Sequence, residues 1–348
     1  MSEEYYINTF SCDVVSDNLF FVSSDMNLVL KYSLSKDEVI LLPPPKGNMF
    51  EMGLYGNVAA FDGCVYLVPF NYGNIWKYGG ENGWEEIPVP GSANKRRFLG
   101  AVLVEHYIYL LGFGRKEIYK FNILTYQITE LNINNKLEVS EIGDEGFLGS
   151  DYEIIDGRIF VPVMCANKIL EIVPETDSIN VINVPSRSNG YGGIIYDGDG
   201  FWLSPRKGRY FVHYLLNGKI EEYELPNEYK SDEMYFGGVY KEGNYIVFNA
   251  FNGKNLKFRA ESPNEYETFE PSIYYYKKLK NNGKVLHERN GQTYYIDDKG
   301  NRKILNLSMS RTDKLEYIGK YMDKKMILTE SKSFSLSEYL RVIEYLIQ

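Results

Sequence analysis

Histidine and cysteine are scarce, with three of each in 348 residues. Three cysteines (Cys12, Cys64 and Cys165) cannot build a disulfide framework, and their spacing fits no metal motif. Each lies in or beside an apolar, strand-like run, which suits a buried, reduced thiol in a cytoplasmic protein. The histidines (His106, His213 and His287) include no His-x3-His pair, so no zinc site is expected. Positive charge is also short: 38 Lys and Arg face 47 Asp and Glu, a net charge of −9. That balance argues against a nucleic-acid partner, which needs a basic face. No uncharged apolar run approaches the roughly 18 residues that a membrane span needs. The opening MSEEYYINTF lacks the basic and apolar regions of a signal peptide, so none is expected. G-x-S-x-G elbows and P-loops are missing too, and no cofactor is expected.

What the chain does have is tyrosine, 31 residues of it, which suits half-buried pleated surfaces. It also has a recurring phrase. An acidic residue followed by Gly, Asn or His sits between two short apolar runs, as in Asp17-Asn18, Asp62-Gly63, Glu105-His106, Asp156-Gly157, Asp199-Gly200 and Glu242-Gly243. Successive copies are 45, 43, 51, 43 and 43 residues apart. A period of about 40–50 residues built from short strands marks a β-propeller, one supersecondary unit per blade. Each unit reads as four strands: in the second, Gly56–Phe61, Cys64–Pro69, Asn74–Tyr78 and Trp84–Val89. The Asp-Gly phrase supplies the tight hairpin between the first two, where positive φ is required. The expected fold is therefore all-β: a single propeller of four-stranded antiparallel blades over residues 1–333. Seven blades are favoured, with eight and six as the alternatives.

The repeat blurs after residue 260. Residues 273–306 read as a more polar blade, and residues 314–329 offer two further strands around Asp323. An N-terminal strand, Tyr5–Phe10, would complete the last blade. Ser335 and Glu338 form a capping box, and Leu336, Leu340, Ile343 and Ile347 recur at helical spacing. A C-terminal helix is therefore expected over 334–348, packed on the propeller.

Tyr78, Trp84, Ile87, Pro88 and Pro90, followed by Arg96-Arg97, resemble a kelch repeat, and Leu111-Gly112 and Tyr119 match it in part. The resemblance implies a kelch-like propeller, a fold used for binding more often than for catalysis.

In such a fold, ligands meet the face built by the loops leading into each first strand and by those joining second to third strands. These loops carry Glu51, Tyr72, Arg96, Arg97, Arg115, Glu145, Arg206 and Arg209, acidic from one set and basic from the other, with aromatic residues between. The lining suits a polar ligand, a saccharide or peptide, in a non-catalytic binding or scaffolding propeller. A protein partner also fits, for which the C-terminal helix is one candidate surface. The alternative is a carbohydrate- or peptide-modifying enzyme with Glu51, Asp144 or Glu145 as acid/base and Arg97 or Arg206 as anion clamp. Asp197-Gly198-Asp199-Gly200 looks like the start of a calcium loop but lacks the later Glu, and reads better as a hairpin turn.

Overall fold

The computed structural model describes residues 4–24, 26–45, 53–79, 83–91, 96–133, 137, 142, 146–229, 232–270, 273–279, 283–288 and 292–321. The chain folds as a seven-bladed β-propeller of four-stranded antiparallel sheets, each made of four strands consecutive in sequence. The blades span residues 9–42, 55–87, 98–130, 153–183, 189–224, 236–269 and 273–305. Two compact units contain them: residues 1–88 with 277–348, and residues 89–276.

The strand order follows from side-chain pattern. Second strands such as Cys64–Pro69 and Tyr107–Gly112 are apolar and buried on both faces, whereas the outer strand Glu38–Leu42 is largely solvated. Asp62 and Gly63 both have positive φ, as do Asp156 and Gly157, which matches the tight turn that twisted strands prefer. Three copies of the phrase sit one residue off the turn; in the fifth, Tyr196 pairs with Phe201 and Asp197 N–H donates to Gly200 O, so Gly198-Asp199 makes the turn. Val15 pairs with Asn18, so Ser16-Asp17 makes the first hairpin, and Glu242 pairs with Tyr245, so Gly243-Asn244 makes the sixth.

In the first unit, blade 1 buries Phe21, Leu30 and Tyr32, and a second cluster joins Val22 and Val29 to Tyr55, Leu67 and Trp76 of blade 2. Blade 7 supplies all four of its own strands, so the N-terminal strand is not needed to complete it. Instead Glu4–Tyr6 pairs antiparallel with Ser308–Ser310 in a separate two-stranded sheet. Residues 314–321 are helical rather than extended, within the helix Arg311–Tyr321. A capping box explains it: Asp313 N–H donates to Ser310 Oγ at 3.0 Å, while Ser310 Oγ–H and N–H donate to Asp313 Oδ2 at 2.7 and 3.3 Å. Leu315, Tyr317 and Ile318 bury one side of the helix, and Tyr317 Oη–H donates to Leu42 O at 2.6 Å. Tyr317→Phe should therefore cost about 1 kcal/mol, read by urea unfolding. The expected helix over 334–348 lies outside the described residues.

In the second unit, blades 3 to 6 stack through apolar clusters centred on Tyr109, Phe147 and Ile159, on Phe160, Tyr191 and Phe201, and on Trp202, Phe236 and Phe248. Blade 4 departs from the pattern. Its first strand is only Glu153–Ile155, against six to eight residues in the first strands of the other blades. Phe147 stands nine residues before Asp156, where Tyr55 and Phe98 stand seven before Asp62 and Glu105. The two extra residues carry Asp151 out of the strand. Its Oδ2 accepts a hydrogen bond from Val239 N–H of blade 6 at 2.9 Å, passing over Gly193 of blade 5. A Cβ at 193 would lie 2.6 Å from the Gly238 backbone and 2.7 Å from that carboxylate, so no side chain fits there.

Candidate binding face

The lead-in loops and second-to-third-strand loops of the second unit are laced together by main-chain bonds. Phe113 N–H donates to Arg97 O at 2.8 Å, Phe147 N–H to Phe113 O at 2.6 Å, Met164 N–H to Phe147 O at 2.9 Å and Tyr191 N–H to Val163 O at 3.0 Å. These bonds bring the two loop sets to one side of the unit. The aromatic residues that lead into the first strands, Phe98, Phe147, Tyr191 and Phe236, are fully buried and build the blade contacts.

Arg97 is 2% exposed. Its Nη2–H donates to Pro90 O, its Cζ lies 4.8 and 5.6 Å from the Phe98 and Tyr119 ring centres, and Nε is 3.8 Å from Glu117 Oε2. Arg115 is 45% exposed and meets the other oxygen of the same carboxylate, Nη1 to Oε1 at 3.3 Å. Arg96, in the left-handed region, lays its guanidinium over Phe113 at 4.8 Å. Arg206 lies over the Phe251 ring at 4.8 Å, and its Nη1–H donates to Phe236 O at 3.3 Å. Phe251 itself is 46% exposed. Arg209 donates to Asn227 Oδ1 at 2.8 Å and pairs with Glu224 at 3.1 Å. In the first unit, Tyr72 donates to Glu86 Oε1 at 2.9 Å, and its ring lies 6.1 Å from that of Trp76 at a tilt of 38°. Glu51, Asp144 and Glu145 lie outside the described residues.

One corner of the face was not foreseen. Asn167 Nδ2–H donates to Ser186 O and Ser188 O at 3.0 and 2.7 Å, and Asn167 Oδ1 accepts from Gly190 N–H at 2.9 Å. Ser188 Oγ both donates to Tyr210 O and accepts from Tyr210 N–H, at 2.6 and 2.9 Å. Tyr191 Oη–H reaches Val184 O at 3.2 Å and Ser186 Oγ at 2.9 Å. The loop so pinned holds Arg187, whose N–H and Nε–H clasp the two oxygens of Glu222 at 2.7 and 3.0 Å while Cζ sits 3.5 Å over the Tyr210 ring. A lone basic residue between two serines gives no signal in the sequence; the Asn167 amide that organises it lies twenty residues earlier.

Polar groups also line the first strands. In the first unit, Asn57 Oδ1 accepts from Ser11 Oγ–H and Lys277 Nζ–H, each at 3.0 Å, and Asp13 Oδ2 accepts from Ala60 N–H at 2.8 Å. Cys12 is buried beside them: burial pushes its thiol well above the usual range, and the Lys277 charge only partly offsets that. In the second unit, Tyr240 and Tyr276 stack at 5.2 Å. Burial, then the charges of Asp151 and Glu153, raise the Tyr276 hydroxyl far above its ordinary value.

Each histidine has its own local partners. His106 occupies a hairpin turn, and His287 shares a 2.6 Å hydrogen bond with Thr293 Oγ1. His213 stacks flat on Trp202 at 4.1 Å, with Nε2 3.1 Å from Asp197 Oδ2. Asp197 opens the hairpin turn expected there: Oδ1 accepts from the Asp199 and Gly200 amides at 2.9 and 3.0 Å, and Oδ2 from Trp202 Nε1–H at 2.7 Å. Among the described residues no cluster of three or more His, Cys, Asp or Glu could hold a metal ion.

No family model matches the sequence, and no curated protein matches it. The fold has many solved counterparts. A streptogramin B lyase is 14% identical, with 87% of this chain and 97% of that one covered at a TM-score of 0.58. Virginiamycin B lyase from Staphylococcus aureus is 13% identical over 88% and 99%, TM-score 0.59. The extracellular domain of a hybrid two-component system from B. thetaiotaomicron is 12% identical over 88% and 40%, TM-score 0.53. At these identities the likeness is one of fold.

Proposed function

We propose that this propeller is a non-catalytic binding protein that takes a polar ligand, a saccharide or a peptide, on the loop face of blades 3 to 6. The observation that carries the reading is the Arg206–Phe251 pair, a guanidinium held over a half-exposed ring beside the basic loop 206–209. Arg115 adds exposed charge and Arg209 half-buried charge, each positioned by a glutamate, and Arg97 supports the loops from within. In the first unit, Tyr72 occupies the equivalent loop and is hydrogen-bonded to Glu86. The kelch-like resemblance of blade 2 agrees with a binding role, and there the Tyr78 and Trp84 rings pack at 5.0 Å.

The histidines favour binding over catalysis. One lyase of this fold was solved in a catalytically inactive form made by replacing a histidine with alanine, whereas two of the three histidines here are buried among structural partners. The cytoplasmic setting rests on three free cysteines. No described helix is long and apolar enough to cross a membrane. Neither a nucleic acid nor a cofactor enters the reading.

A glycan and peptide array probed with wild type and with an Arg115→Ala, Arg206→Ala double variant tests it. The variant should lose about tenfold or more in affinity for whatever wild type retains. Equal retention by both proteins would sink the proposed face.

A further inference from the structure

We infer that Gly237 is a specificity-determining residue, whose missing side chain leaves room for a neutral sugar ring to lie against Phe251. The inference rests on the binding reading above and names its ligand class and the residue that admits it. The first strands of blades 1, 2, 3, 5 and 6 each break register once near their start, and the extra residue is Phe10, Gly56, Leu99, Gly192 or Gly237 in turn. Phe10 and Leu99 show that this bulge does not itself demand glycine. Gly192 has a local reason, because a Cβ there would lie 2.3 Å from Phe236 O.

Gly237 has no such reason. Its φ lies outside the left-handed region, and an added Cβ would meet only Phe251 Cδ1 within 4 Å, at 3.3 Å. The residue is exposed. Glycine in a strand costs backbone entropy, and where neither φ nor a crowding neighbour requires it, it marks close approach of a ligand to the main chain.

The neighbours define what approaches. Phe251 is 46% exposed, with Arg206 Cζ 4.8 Å from its ring centre. That guanidinium already donates to Phe236 O, so the corner offers flat surface rather than unspent charge, which favours a neutral ring. Asn252 comes next in the chain and is exposed, and among the described residues its side-chain amide makes no hydrogen bond. It supplies both a donor and an acceptor for hydroxyl groups. An aromatic surface beside an open amide suits a pyranose, whose C–H face covers the ring while its hydroxyls meet the amide. An extended peptide is served less well, because Phe251 N–H and Asn252 N–H both donate to Tyr235 O, at 2.9 and 3.4 Å.

The test is calorimetric titration of the full chain with cellohexaose, maltohexaose and hexaproline. At least one hexasaccharide should bind, with hexaproline weaker by about tenfold or more. Gly237→Leu should weaken that sugar by about tenfold or more, because the side chain fills the space beside Phe251. Asn252→Ala should weaken it by about fivefold. Since Leu99 occupies the same bulge position in blade 3, Gly237→Leu should melt like wild type, which thermal unfolding verifies. If that variant unfolds, Gly237→Ala carries the test, with a loss of about threefold expected. Sugar binding left intact by the folded Gly237 variant overturns the role of Gly237. Preference for hexaproline, or binding of neither hexasaccharide, overturns the ligand class. A glycan or peptide from the array that both wild type and Gly237→Leu retain equally removes this inference and leaves the binding reading standing. Failure to bind any glycan or peptide removes both.

Discussion

Gly190→Ala is expected to destabilise the protein by roughly 2–5 kcal/mol, a large part of a typical folding free energy. Gly190 has φ +70°, and a Cβ there would lie 1.9 Å from Met164 O and 2.6 Å from Met164 C. Both are backbone atoms in the blade 4 turn, so neither can swing aside as a side-chain tip would. The same shift would strain the Asn167–Gly190 hydrogen bond that pins the Arg187 loop. Gly63→Ala separates the two penalties: φ is +76°, but nothing lies within 4 Å of the added carbon. Only the left-handed backbone cost remains there, about 1 kcal/mol. Urea unfolding of the two variants should therefore differ several-fold in effect. Equal losses would mean that the blade 4–5 contact yields.

Asp197→Ala should cost about 3–5 kcal/mol, because it strands the buried Trp202 indole N–H and two turn amides and removes the charge facing His213. Burial alone would raise the Asp197 pKa, but the imidazole, the two amides and the indole outweigh it and hold the carboxyl well below its ordinary value. A carboxyl depressed in the folded state contributes its full stability above the unfolded value of about 4 and loses it as pH falls toward the folded one. Wild type should thus lose stability on acidification through that window. The alanine variant should start lower and fall less. Trp202 is the built-in reporter, and its emission should shift to the red in the variant at neutral pH. A pH profile parallel to wild type would show that Asp197 is not the group that titrates.

The fold was legible where the same local rule repeats. Residue spacing near 43 and the Asp-Gly hairpins count blades because each blade needs the same turn at the same place. Exceptions were harder. The 51-residue interval between Glu105 and Asp156 contains both a longer lead-in loop and the two residues that displace Asp151, and spacing alone cannot divide them. The helix Arg311–Tyr321 carries its signal in Ser310 and Asp313, but it follows directly on a strand, and its apolar residues also fit a strand pattern over so short a stretch. On the binding face, residue type marked the charged loops but not which charges are spent. Arg97 and Arg96 are neighbours in sequence, yet one is buried against Phe98 and Tyr119 and the other lies on Phe113. Arg187 acquires its orientation from Asn167, Ser188, Tyr210 and Glu222, four positions that converge only in three dimensions.

A chain of consecutive blades could come apart in order, each module peeling from its neighbour as repeats do in a solenoid. The bond from Asp151 to Val239 works against that order within the second unit, because it joins modules four and six across module five. Opening module five costs that bond, about 1.5–3 kcal/mol, besides its own contacts. The carboxylate acts as a latch between non-neighbours, added to the array by two inserted residues.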